Sequence, residues 1–260
     1  MKIQLDTLAY TNRLRHVSPA QKLSFGLSTL FFVLVAHTKV HVAVFAWMSV
    51  WIVGYAGIAA RVYVNLLMAL AVFLALGLPP LVLEISLQPV LEPVLFQFSA
   101  GPWHVYASEE GMKAAGVLLF RSLASVSCLY FILLTVPFTE LLVVLRRVGI
   151  PALITDLLLV MYRFVFVFLE TAGQLWIAQQ ARGGGRGFMN KMQAAGRLVT
   201  RLFTRTLQRY QQLSVGLTAR GFEGELRVAS RTSFSVSRRY AVEAAVGLIL
   251  LFVLELWTRR

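Results

Sequence analysis

Long apolar runs broken by short charged or proline-containing intervals dominate the pattern along the chain. Predominantly apolar runs cover 23–36, 40–60, 62–83, 113–136 (broken by Arg121 and small hydroxyl residues) and 240–257. An α-helix needs roughly 20 residues to cross the hydrocarbon core of a bilayer. The first run reaches that length when counted from Pro19. Ser18-Pro19-Ala20-Gln21 has the form of a helix start, with Ser18 at the N-cap, Pro19 at the first helical position and Gln21 completing a capping box. His37-Thr38-Lys39 separates the first two runs and Arg61 the next two. Pro79-Pro80 should end or kink the third, because proline cannot donate to the helix ladder.

The remaining segments carry other patterns. Residues 84–112 hold Glu84, Glu92, Glu109 and Glu110 with three prolines and no Lys or Arg, and are expected as a non-helical loop outside the cell. Residues 137–148 read as a short amphipathic helix. Leu141, Leu142, Leu145 and Val148 recur at helical spacing, Arg146 and Arg147 sit in the last turn, and Gly149 and Pro151 end it. Such a helix lies in the membrane interface rather than across it. The run 157–169 is apolar except for Arg163 and is bounded by Asp156 and Glu170. It is expected to be too short for a span and half-buried against other helices. Asp156, Arg163 and Glu170 share one face about 10 Å apart along the axis, so their partners must come from elsewhere. This helix should continue to Arg182 and stop at Gly183-Gly184-Gly185.

Residues 188–220 form a second long helix. Arg197, Arg201, Arg205 and Arg209 make a basic stripe, and Leu198, Leu202, Phe203, Tyr210, Leu213 and Leu217 mark a more apolar side.

Composition turns these runs into a membrane protein. Of the 260 residues 58% are hydrophobic and 14% charged, against about 45–50% and about 25% in a soluble domain. The net charge of +13 would suggest nucleic acid in a soluble chain. Here the basic residues flank or separate apolar runs, which fits cytosolic retention of Lys and Arg and argues against nucleic acid. Twelve of the 25 Lys and Arg lie between Arg182 and Arg239, which places that region in the cytosol. The expected fold is therefore all-α and polytopic. It has a cytosolic segment 1–22, four spans within 23–136, a cytosolic or interfacial helical region 137–239 and a last span in 240–260. A sixth span through 152–176 would put the basic stripe outside, so five are preferred.

Most candidate chemistry has a plain reading. Gly183-Gly184-Gly185-Arg186-Gly187 follows no strand and precedes no Gly-Lys-Ser/Thr, so it reads as a hinge rather than a phosphate cradle. His37 and His41 are four apart without the glutamate of a metalloprotease pattern, and no dedicated metal site is expected. The single cysteine, Cys128, lies in an apolar run as a small packed residue. His104 with Glu109 or Glu110 would be the starting set for a membrane-embedded lipid enzyme, but no spacing supports one. Arg163 is costly in lipid and must face protein or water, either in a structural pair or against a moving membrane partner.

One pattern is harder to absorb. Ala181-Arg182-Gly183 and Ala219-Arg220-Gly221 end two successive helices, 220 − 182 = 38 positions apart. Arginine at a helix end with glycine after it explains one such triplet. Two of them suggest two equivalent acidic clefts on a partner, which the planar guanidinium can grip bidentately.

The paired triplets resemble the signature of the transmembrane T component of energy-coupling factor (ECF) transporters, a class of ABC importer. The segment from Leu141 to Pro151 is also similar to that family, and the opening from Asp6 to Pro19 is similar to its cobalt-transport branch, CbiQ. The resemblance covers nearly the whole chain. It implies an importer in the inner membrane of a bacterium, with two ABC-type ATPase subunits, a substrate-binding membrane subunit and room for a small accessory membrane subunit. Ala181, Arg182, Gly183, Ala219, Arg220 and Gly221 would dock the ATPases. Arg146, Arg147 and Arg163 would couple to partner subunits. The chain itself would be no enzyme and hold no cofactor. ATP and Mg would be bound by the ATPases, and cobalt by the substrate-binding subunit. The alternative is the same role for nickel or a vitamin. The extra glycines after Gly183 depart from the family pattern and imply a looser hinge.

Overall fold

The computed structural model describes residues 4–86, 94–100, 103–181, 188–221 and 237–258, with the side chains of 4–6, 83–108 and 179 and a few in the second long helix outside that description. Two compact units divide it, Met1–Leu141 with Thr232–Arg260, and Leu142–Arg231.

In the first unit the helices are α1 (Gln4–Thr11), α2 (Pro19–Val35), α3 (Thr38–Val50), α4 (Ala60–Gly77), α5 (Pro79–Val82), α6 (Glu109–Thr135) and α10 (Arg238–Thr258), and α7 (Phe138–Arg147) begins there. At its end α3 widens into a π turn over Trp51–Tyr55, where the Ala56 N–H donates to the Trp51 carbonyl. The break before Pro79 falls where the proline doublet was expected to put it. Arg61 does not end the preceding helix; it stands in the first turn of α4. Within the interval expected to be non-helical, β1 (Leu83–Ser86), β2 (Val94–Ala100) and β3 (Trp103–Ser108) form a small antiparallel sheet with β3 in the middle. Ile85 pairs with Val105, and Gln97 with Tyr106. Glu109 and Glu110 lie in the first turn of α6, where the helix dipole favours carboxylates.

The core of this unit is built around α6, which packs on α1, α2 and α3, while α10 packs on α2 and α3. Val33, Val44, Met48, Ile52, Cys128 and Phe131 are fully buried, as expected for Cys128. Trp51 joins three helices. Its ring lies 4.8 Å from Phe25, 6.1 Å from Phe131 and 6.2 Å from Tyr240 between centroids. Gly247 lets α10 approach α3 so closely that a Cβ there would collide with the Trp47 indole.

The 1–22 segment is more than a polar tail. Ala9, Leu14 and Val17 are buried in the core. Lys22 is buried too. Its ammonium donates to the Thr135 carbonyl at 2.8 Å and to that of Leu14 at 3.4 Å, and the Asn12 amide donates to Leu134 and Thr135. These bonds satisfy the last carbonyls of α6, which lack intrahelical donors, and set a cation at the negative end of its dipole. The capping box was expected at the wrong partners. Ser18 takes the N-cap position without a side-chain cap bond, and the Gln21 amide donates instead to the Ser237 carbonyl.

Length and composition qualify five helical segments as spans: Thr38–Tyr55, Ala60–Val82, Glu109–Thr135, Ala152–Ala178 and Arg238–Thr258. The number matches the expectation, but the membership does not. Pro19–Val35 is apolar and shorter, and the 152–178 segment, expected to be too short, qualifies. The helix runs on to Ala181, close to the expected end at Arg182; what was misjudged is its apolar stretch, which Asp156 and Glu170 do not interrupt enough to disqualify.

The second unit contains the end of α7, then α8 (Ala152–Ala181) and α9 (Phe188–Thr218), which pack on each other.

Candidate functional site

The region that carries the paired triplets is the second unit. The end of α7 shows how its helices are closed. Gly149 has φ of +105°. The Ile150 N–H donates to Leu145 and the Gly149 N–H to Arg146, so the carbonyls of the last turn are satisfied by a left-handed reversal that glycine makes without strain. Pro151 does more than prevent continuation. Its carbonyl receives the N–H groups of Ile154 and Thr155 and opens α8. Leu142 is buried, whereas Val148 lies beyond the helix and is 79% exposed, outside the apolar face assigned to it.

The partner sought for Asp156 comes from within the chain. The Arg146 guanidinium stands 4.0 Å from its carboxylate. Arg147, Arg163 and Glu170 are exposed. Arg163 has no ion pair among the described residues, so the side chain is open to a partner outside this chain.

Of the two triplets, Ala219-Arg220-Gly221 is described in full. The Gly221 N–H donates to Thr218, the Arg220 N–H donates to Leu217, and Gly221 has φ of +70°. Gly221 therefore performs the helix-closing role of the plain reading. That role leaves the Arg220 side chain unused, and Arg220 is exposed. In the other triplet Ala181 is the last residue of α8. Arg182 and Gly183 lie outside the described residues, as do Gly184 to Gly187.

The basic stripe of α9 is real: Arg197, Arg201, Arg205 and Arg209 are all exposed. The apolar side assigned to this helix is only partly so. Leu202 is 4% exposed, but Phe203 and Tyr210 are more than 60% exposed. Between α8 and α9 runs a groove of about 540 Å³. Met161, Phe164, Val165 and Phe168 of α8 face Arg205, Gln208, Arg209 and Gln212 of α9 across it. Sequence reasoning did not find this groove, because Gln208 and Gln212 carry no signal until α8 stands opposite them.

Two further contacts missed in the sequence hold α7. Glu140 lies 3.8 Å from the buried Lys22 ammonium, and Tyr10 and Thr139 share a hydroxyl hydrogen bond at 3.0 Å. Burial pushes the Glu140 carboxyl above its ordinary pKa, and the Lys22 charge only partly opposes this. Of the rival catalytic set only the glutamates can be followed. Glu109 is paired with Lys113 at 2.7 Å, and the side chain of His104 lies outside the described residues. His37 pairs with Glu255 and His41 is buried against the Val33 carbonyl. Among the described residues no three His, Cys, Asp or Glu side chains group as metal ligands.

Comparison with known proteins covers both units. A family model for the cobalt transport protein CbiQ matches residues 11–231. The chain is 30% identical over 250 residues to the cobalt transport protein CbiQ of Rhodobacter capsulatus, across 95% of this chain and 93% of that one. It is 28% identical over 227 residues to the CbiQ of Salmonella typhimurium, across 86% and 99% respectively. A chain of Methanocorpusculum labreanum named as a fused cobalt transport protein, CbiMQ, is 29% identical over 85% of this chain, which spans 36% of that relative. With a family match of this extent and several helices apolar enough to span a bilayer, the chain is a multi-pass membrane protein of the CbiQ cobalt transport family.

Proposed function

We propose that the chain is the energy-coupling T subunit of an ECF-type cobalt importer in the inner membrane of a bacterium. It receives motion from two ATPase subunits and passes it to a substrate-binding membrane subunit. The observation that carries this reading is the pair of Ala-Arg-Gly triplets, one beginning at the last residue of α8 and the other following α9. At the second, the helix-closing work falls to Gly221 while Arg220 stands exposed. A guanidinium so presented can enter an acidic groove on an ATPase and make paired hydrogen bonds with a carboxylate. The fused CbiMQ relative supports a membrane partner, since nearly two thirds of its length lies outside the match.

In this reading α8 lies along the cytosolic interface although it is long and apolar enough to cross. A crossing would carry Arg182 to the outer side and leave the twelve cations between 182 and 239 on the wrong side of the charge rule. The chain hydrolyses no ATP and ligates no cobalt; its partners do both. Replacing Arg182 and Arg220 together by Glu should abolish ATPase co-purification while membrane insertion persists. Undiminished co-purification would refute the docking role. Uptake of labelled cobalt against nickel and vitamins by the reconstituted complex decides the cargo.

A further inference from the structure

The groove between α8 and α9 has two unlike walls. On α8, Met161, Phe164, Val165 and Phe168 fall at the spacing of one helical face and present hydrocarbon. On α9, Arg205, Gln208, Arg209 and Gln212 fall at the same spacing and present guanidinium and amide groups. No Asp or Glu lines the groove, and neither arginine has an ion pair among the described residues. Two helices packing only for each other's sake would set apolar against apolar. This pair instead leaves a cleft whose occupant must be greasy on one side and anionic on the other.

We propose that this groove is a binding site for an anionic glycerophospholipid of the leaflet that α8 and α9 face. The phosphate group sits between Arg205 and Arg209, with Gln208 and Gln212 as further donors, and an acyl chain lies along Met161, Val165 and Phe168. Basic pockets between membrane helices hold anionic headgroups in this way, and arginine makes paired bonds to phosphate that a surface lysine does not. Lipid is favoured over an acidic peptide by the state of α8. The helix is as apolar as a membrane span and almost none of it is buried, so its groove wall suits an acyl chain better than a charged peptide. The cavity of about 540 Å³ is within the size of small-molecule sites. The site is separate from the helix tips and does not depend on ATPase docking there. A bound lipid would hold the two helices at a fixed spacing, tying the lever pair to membrane composition.

The test is native mass spectrometry of the full chain extracted from vesicles of phosphatidylcholine with and without phosphatidylglycerol. One tightly held phosphatidylglycerol per chain is expected, with phosphatidylcholine not retained. R205Q/R209Q should lower that retention about tenfold or more, given the strength of two arginine contacts with an anionic headgroup. R197Q/R201Q removes the same charge from the stripe outside the groove and should lower it far less. Thermal melting of both variants checks that the fold persists. Equal loss in the two variants would reduce the effect to general surface charge and overturn the site. Equal retention of phosphatidylcholine would overturn the anionic assignment. Absence of any retained lipid, with R205Q/R209Q instead losing a membrane partner subunit, would give the groove to protein and overturn the proposal.

Discussion

The helices α6 and α8 are of similar length and equal hydropathy, yet they are used in opposite ways. In α6, 8 of 27 residues are buried, among them Cys128, Phe131 and Leu134. In α8, 30 residues long, Thr155 alone is buried among the described residues. In the first unit α6 finds part of its apolar cover within the chain, through the aromatic cluster around Trp51 and the polar plug at its end, while α4 and α10 stay mostly uncovered. The second unit leaves its apolar surface for something outside the chain. Hydropathy reports how much grease a helix carries. Burial reports how far this chain is the partner, and it separates α6 from α8 where hydropathy does not.

The sharpest way to break this contrast is a matched pair of truncations. Phe131→Ala in α6 removes a fully buried ring and should cost about 3–5 kcal/mol, read as thermal melting in detergent. Phe168→Ala in α8, 44% exposed, should cost less than about 1 kcal/mol. Equal costs would mean that α8 belongs to a core of this chain. Next in size is Lys22→Met. It keeps the volume but leaves the Thr135 carbonyl without its closest donor and Glu140 without its cation, at about 1–3 kcal/mol. An unchanged melting point would show that Asn12 alone suffices to cap α6. On the other side of the contrast, Arg163→Leu should leave melting unchanged and lower cobalt uptake by roughly fivefold or more, within the usual range of coupling energies. Unchanged uptake would make Arg163 an ordinary surface residue.

Much of this organisation could be read from the sequence where the signal is local. Pro79-Pro80, Gly149 and Gly221 end helices because each needs only its own backbone to do so. The apolar runs at 40–60, 62–83, 113–136 and 240–257 became helices for the same reason, with ends shifted by a few residues. What could not be read depended on distant groups. Lys22 looks like one more cytosolic cation until Thr135, 113 positions away, is brought beside it. Gln21 looks like a capping residue until Ser237 is brought within reach. The apolar stretch of α8 was judged too short to span because Asp156 was taken as its boundary, when Arg146 from the preceding helix stands beside it. In the candidate site the triplets were legible as repeats, and the groove was not, because its chemistry lies in the pairing of two faces.

The central claim is that α8 and α9 bring both arginine tips to one side of the membrane. Single cysteines in place of Arg182 and of Arg220 measure this directly in inside-out and right-side-out vesicles, since the native Cys128 is buried and silent. Both positions should react with an impermeant maleimide only where the cytosolic face is exposed. Labelling of position 182 from the outer face, with 220 still labelled from the cytosol, would make α8 a true span and contradict the account.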